Sequence, residues 1–227
     1  MAFHHSPRIV SEGLVFAWDI PNKRSYPGSG TTITNLITTG EDITISNATV
    51  QTGPDNGVGS IAFDGSGDRL IFPSTTFADV MTFSIWHKAR TDTAGYGYLF
   101  SNSASPYNGL AFSEGGASGP VTSGQYYYYD GSGSTTLSTA GLGQNNVWGN
   151  VTVVFNKTSG QTKFYFNGQL NTTKSITLPS NIFNQYGSYQ TSTHYLLGEL
   201  AVCNVYNREL TAAEVLQNYN AMKGRFE

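Results

Sequence analysis

Apolar residues recur at every second position in short runs along this chain, and Gly, Asn, Ser or Pro interrupts each run before a helical period can develop. Ser60-Ile61-Ala62-Phe63-Asp64 alternates, Gly65-Ser66-Gly67-Asp68 turns, and Arg69-Leu70-Ile71-Phe72 alternates again, which reads as a hairpin. Thr82 to Ala89 sets Phe83, Ile85 and His87 on one face and Ser84, Trp86 and Lys88 on the other. Trp148 to Phe155 and Thr162 to Phe166 are joined by Asn156-Lys157-Thr158-Ser159-Gly160, and Asn167-Gly168 offers a type I′ turn into Gln169-Leu170-Asn171. Strand signals at this spacing predict an all-β chain, a two-sheet antiparallel sandwich with a first strand near Gly13 to Trp18.

The carboxyl end breaks the rule. Thr211-Ala212-Ala213-Glu214 is a capping box, Leu210 and Val215 fit a hydrophobic staple, and Val215, Leu216, Tyr219 and Met222 share one stripe. A short helix over 211–223, stopped at Gly224, is expected to pack on the sandwich or on a neighbouring subunit. No internal repeat or composition break marks a second domain. The reading is a single domain over 1–227, with residues 1–12 as an amino-terminal arm.

Charge narrows the function classes. Only 12% of residues are charged, with a formal net charge of -3, against about 25% charged in an average domain. Without a basic run, nucleic-acid binding is not expected. No stretch approaches the length of a membrane span, and Met1 to Arg8 lacks an apolar leader core, so synthesis and folding in a cytoplasm are expected. The lone Cys203 leaves no disulfide partner and no multi-cysteine zinc site. The His4-His5 pair near the start reads as neither tag nor metal site, and the sequons at Asn47, Asn150, Asn156 and Asn171 match chance in so Asn- and Thr-rich a chain.

The residues carry few signs of catalysis. Glycoside hydrolysis needs two carboxyl groups about 5–9.5 Å apart, and no strand here offers acids at alternating positions. Glu41-Asp42 would point oppositely if extended, and Asp64 and Asp68 flank a turn. There is no Gly-x-Ser-x-Gly elbow and no phosphate loop. His87 reads as a hydrogen-bonded strand residue and His194 as a loop residue. No cofactor is expected; calcium on Asp64 and Asp68 is the one metal these residue types suit, beside their ordinary use in turns.

The tyrosines are the candidate binding groups. Gln125 is followed by Tyr126-Tyr127-Tyr128-Tyr129 and the turn Asp130-Gly131, so one pair of tyrosines faces the core and the other faces out. Tyr107-Asn108, Tyr186 and Tyr189 are placed in loops rich in amides and hydroxyls. The candidate contact residues are Tyr107, Asn108, Tyr126, Tyr128, Tyr186 and Tyr189. Such a set suits a protein partner and equally a glycan, whose rings stack on aromatic faces.

Three segments resemble the laminin G-like branch of the concanavalin A-like lectin/glucanase superfamily. They are Phe63 to Pro73 running into Phe83 to Lys88, then Trp148 to Phe155 with Lys163 to Leu170, then Leu197 to Glu214 with its closing Tyr206-Asn207-Arg208-Glu209-Leu210-Thr211. The resemblance implies a jelly-roll sandwich. It departs from many relatives at Glu199-Leu200-Ala201, where they carry an acidic pair, and at Gly149-Asn150, where they often carry two histidines. The two ends, Gly13 to Asp19 with Lys23 to Thr32, and Asn218 to Phe226, are similar to those of tailed-bacteriophage structural proteins with this domain. That likeness implies a non-enzymatic virion protein, assembled in the host cytoplasm. It would be a capsid decoration or surface appendage, oligomeric on the particle, with other virion proteins of capsid or tail as partners. The alternative it leaves open is a carbohydrate-binding adhesin or receptor-binding module of the tail that takes a cell-surface glycan.

Overall fold

The computed structural model describes residues 7–37, 42–51, 59–91, 95–115, 122–176, 178, 182–189 and 194–227; His4, His5 and Glu41 lie outside them. The alternating runs form β1 (Leu14–Asp19), β2 (Thr32–Ile33), β3 (Ile43–Ser46), β4 (Thr49–Gln51), β5 (Ser60–Asp64), β6 (Arg69–Thr76), β7 (Val80–Ala89) and β8 (Gly95–Asn102). They continue as β9 (Asn108–Gly115), β10 (Tyr126–Tyr129), β11 (Ser134–Thr136), β12 (Trp148–Asn156), β13 (Gln161–Phe166), β14 (Gln169–Ser175), β15 (Ile182–Tyr186) and β16 (Leu197–Tyr206). The one helix among the described residues, α1 (Ala212–Met222), is followed by a 3-10 turn, Lys223–Arg225.

The strands make two antiparallel sheets packed as a jelly-roll sandwich. The first has the order β14-β13-β12-β7-β16-β5-β4, with β1 also paired to β16; the second has the order β11-β10-β9-β8-β15-β6-β3-β2. The core lies between them, because each strand's alternation turns one apolar face inward. Phe83 stacks on Phe100 across the gap at 4.3 Å, and Phe155 and Phe183 meet them edge-on. The β12–β13 and β10–β11 hairpins form as their turn residues predict, and Asn167 and Gly168 have the positive φ of a type I′ turn, 47° and 77°.

One expected hairpin is absent. β5 pairs with β16 and β4 in the first sheet, whereas β6 pairs with β3 and β15 in the second. Residues 65–68 therefore arch from sheet to sheet. Ile61 and Phe63 on one side, and Leu70 and Phe72 on the other, all bury into the same core. Either arrangement buries both apolar faces, so the choice is made by the partners: β16 and β4 on one side, β3 and β15 on the other.

The helix packs on its own sandwich. Thr211 accepts from the Glu214 amide while Glu214 accepts from the Thr211 amide, and Arg208 holds the same carboxylate through both terminal nitrogens. This pairing pulls Glu214 down to about 2. Val215 and Met222 then cover the outer face of the first sheet. Beyond the helix, Phe226 stacks on Trp86 at 4.0 Å and Arg225 grips Asp19 with two nitrogens. Residues of the amino-terminal arm lie alongside: the Val10 amide donates to Asn218, and its carbonyl accepts from Tyr206. Val10 of the arm and Phe226 beyond the helix thus both pack on the outer face of the first sheet.

Candidate functional site

The outer face of the second sheet is different in kind. On β9, Gly109, Ala111 and Ser113 are the outward residues, and all are small. Their cross-strand partners are large. Tyr96 stands opposite Ser113 and Tyr98 opposite Ala111 on β8; Tyr127 stands opposite Ala111 and Tyr129 opposite Gly109 on β10. Small residues on a central strand make a trough along β9, and the aromatic rings of its neighbours fill it.

The segment after β15 folds over this trough. Tyr189 stacks on Tyr98 at 4.6 Å, meets Tyr129 edge-on at 5.5 Å and leans on Tyr107 at 5.8 Å. His194 stacks on Tyr96 at 4.5 Å, and Tyr96 contacts Tyr127 edge-on. Two glycines permit the approach. A Cβ on Gly97 would lie 2.3 Å from the Leu196 backbone, and one on Gly187, at φ 85°, would lie 2.2 Å from the Phe63 ring. Tyr98, Tyr127 and Tyr189 form a buried aromatic layer, Tyr96, Tyr107 and Tyr129 are half-buried at its rim, and His194 is exposed.

The chemistry of the trough is phenolic and neutral. Burial pushes the Tyr98 hydroxyl well above its usual range, and Tyr127, Tyr189, Tyr96 and Tyr129 add to the shift, so these rings crowd together. Partial desolvation also lowers His194 from its ordinary range. The Ser113 hydroxyl on the floor is buried and has no hydrogen-bond partner among the described residues. At that end Glu114 turns inward, accepts from the Leu197 amide at 2.7 Å and is raised by burial to about 7. At the other end Tyr129 donates to the Gly131 carbonyl, and Asp130 caps the turn by accepting from the amides of Ser132 and Gly133.

Of the residues expected from sequence, Tyr107 and Tyr189 belong to this cluster. Four do not present themselves to a ligand. Tyr126 and Tyr128 are paired with Phe112 and Leu110, whose side chains fill the core, so this is the inward pair of the tract and both are fully buried. Tyr186 lies on β15 and not in a loop; it is buried, with its hydroxyl 3.1 Å from Cys203 Sγ and its ring edge-on to Trp18. Asn108 is buried where β9 begins, opposite Asn102. The outward pair is Tyr127 and Tyr129. With Tyr96, Tyr98 and His194 these are the residues that sequence reasoning missed. The Tyr96-x-Tyr98 alternation was their visible signal.

Asp64 and Asp68 hold the inter-sheet arch. Asp68 accepts from the Asp64 amide and from the Asn47 amide group, both at 2.8 Å, and Asp64 accepts from the Ser66 amide at 2.7 Å. Both Asp68 oxygens and one of Asp64 therefore face N–H donors, a set suited to locking a turn and poorly suited to a cation. Among the described residues no group of three or more His, Cys, Asp or Glu converges as a metal site. His87 is fully buried, 3.2 Å from the Tyr126 hydroxyl, and burial drops it to about 3. A polar depression of about 210 Å³ on the first sheet, beside the Lys163–Glu209 ion pair, is lined by Val154, Asn156, Ser159 and Gln161.

A family model for the concanavalin A-like lectin/glucanases superfamily matches residues 64–216. No curated protein matches the chain in sequence. Among solved structures, the sialidase of Trypanosoma rangeli superposes over 96% of this chain and 34% of its own, with a TM-score of 0.68 and 14% identity. The binding domain of botulinum neurotoxin serotype D does so over 91% of this chain and 51% of its own, with a TM-score of 0.64 and 15% identity. The chain therefore spans about a third to a half of these larger proteins. Domain 4 of AbnA, an extracellular GH43 arabinanase from Geobacillus stearothermophilus solved with arabinotriose, is similar along nearly its whole length. It is covered at 98%, with 91% of this chain, a TM-score of 0.68 and 14% identity.

Proposed function

Because the chain belongs to the concanavalin A-like lectin/glucanase superfamily, we propose that it is a non-catalytic carbohydrate-binding module that takes sugar on the aromatic surface filling the trough over β9. The observation that carries this reading is that aromatic surface. Half-buried Tyr96, Tyr107 and Tyr129 and the exposed His194 stand on a buried layer of Tyr98, Tyr127 and Tyr189. Exposed ring edges and faces offer stacking area to the apolar face of a sugar ring, and the phenol hydroxyls offer hydrogen bonds to its hydroxyls. The rim rests on a packed aromatic layer, so little side-chain freedom is lost on binding. The match to an arabinanase domain solved with arabinotriose supports the same class of ligand.

The likeness of both chain ends to tailed-phage structural proteins supports a place on a virion, as a capsid decoration or tail appendage. In that reading the outer face of the first sheet, where Val10 and Phe226 pack, is the side toward other virion proteins, and the aromatic surface on the opposite sheet points outward. The test has two arms. On a glycan array, the wild-type protein binds at least one glycan, and Tyr129→Ala or Tyr107→Ala weakens that binding at least tenfold. Absence of binding, or binding indifferent to both substitutions, overturns the carbohydrate reading. Failure of the protein to copurify with purified particles overturns the virion placement alone.

A further inference from the structure

The charge around the trough says which glycans it takes. The sequence contains no Lys or Arg between Arg90 and Lys157, nor between Lys174 and Arg208. Those spans supply β8, β9, β10 and the segment that carries Tyr189 and His194. Asp130, just after β10, sets a carboxylate near one end of the surface, while Glu114 at the end of β9 turns inward and is buried. The described strands of the second sheet carry one cationic residue, Arg69 on β6. The sheet order sets it two strands away from β8, with β15 between, or about 10 Å at the usual strand spacing.

We infer that the trough is selective for neutral glycans and discriminates against sugars bearing a carboxylate. The inference rests on the carbohydrate reading above. A sialic or uronic acid brings a charge that needs a bidentate guanidinium or a lysine to replace its water. Here it meets tyrosine hydroxyls and an imidazole, with the Asp130 carboxylate near one end. Phenol hydroxyls suffice for neutral sugar hydroxyls, and desolvating those is far less costly than desolvating a carboxylate. Affinity that comes from stacking and neutral hydrogen bonds is also insensitive to salt, because no ion pair is screened.

A glycan array carrying matched pairs tests this with the intact protein. Lactose is set against sialyllactose, and neutral oligosaccharides against oligogalacturonates. The expected result is binding to neutral members, at least tenfold weaker binding to their acidic partners, and no loss between low and high salt. Arg69→Gln should leave neutral binding unchanged. Acidic glycans bound as tightly as their neutral partners, with binding lost in Tyr129→Ala, would overturn the charge selectivity while leaving a carbohydrate site in place. The same holds for acidic binding that depends on Arg69. No glycan bound in either arm overturns the carbohydrate reading itself, and the two failures are thereby told apart.

Discussion

Tyr189 lies flat on Tyr98, with ring centroids 4.6 Å apart and planes 25° from parallel. Through this contact a segment beyond β15 closes over the outer face of β8. It joins residues distant in the chain into one layer, since the same Tyr189 ring also touches Tyr107, Tyr129 and His194.

Removing that ring should undo both packing and site. Tyr189→Ala should cost about 2–4 kcal/mol, from lost burial plus the stacked pairs, and should weaken glycan binding by loosening the rim. Tyr189→Phe keeps the stack and should retain both. Denaturant unfolding and array binding of the two variants check this; equal stability of wild type and Tyr189→Ala would show that the layer contributes nothing.

Core and rim tyrosines should separate cleanly. Tyr126→Phe removes the hydroxyl beside His87 Nδ1 and should cost about 1–2 kcal/mol with glycan binding intact. Tyr129→Ala, at a half-buried rim position, should lower stability less and abolish binding. The opposite pattern would return the site to the inward face of β10.

Glu114 and His87 give stability a defined pH dependence. Burial raises Glu114 from its ordinary 4.5 to about 7, so the folded state holds this proton more tightly than the unfolded chain does. Its contribution is present below about pH 4.5 and is lost as pH rises through 7, for a total of roughly 3 kcal/mol. His87 acts oppositely. Lowered from 6.5 to about 3, it adds stability as pH rises between those values. The two effects offset each other from about pH 4.5 to 6.5, so the wild-type curve alone is uninformative there. The difference between wild type and Glu114→Gln isolates the carboxyl. Gln keeps the acceptor for the Leu197 amide, and the variant should gain relative stability as pH rises from 5 to 8, read as Tm. A pH-independent difference would mean that Glu114 titrates normally.

The Asp68 contacts predict a turn without a cation. Asp68→Ala removes the acceptor for the Asp64 amide and for Asn47 and should cost about 1–3 kcal/mol. Calcium or a chelator should leave the wild-type Tm unchanged, whereas a calcium-dependent rise would reveal binding linked to folding.

At the carboxyl end, Phe226→Ala uncovers Trp86 and removes a stack at 4.0 Å. The expected loss is about 2–3 kcal/mol, with a red shift in tryptophan emission. An unshifted spectrum would mean that the terminal turn does not shield Trp86 in solution.

The sequence by itself determined what is local. Period-two alternation, the Asn167-Gly168 turn and the Thr211–Glu214 capping box are each written within a few residues, and each appears where the pattern places it. The face that His87 shares with Phe83 and Ile85 was legible for the same reason. What the alternation could not say is which face turns inward. In Tyr126-Tyr127-Tyr128-Tyr129 the two faces are chemically identical, so only the register of β10 against Leu110 and Phe112 chooses the buried pair. The strands flanking Gly65 to Asp68 had the pattern of a hairpin, yet pairing with β16 on one side and with β3 and β15 on the other sent them to different sheets. The trough is likewise a product of tertiary structure. Its small floor and aromatic walls come from three strands and a crossing segment, held by contacts between residues as distant as Tyr98 and Tyr189. Long-range pairing, with the burial it brings, decides between alternatives that local propensity leaves equal.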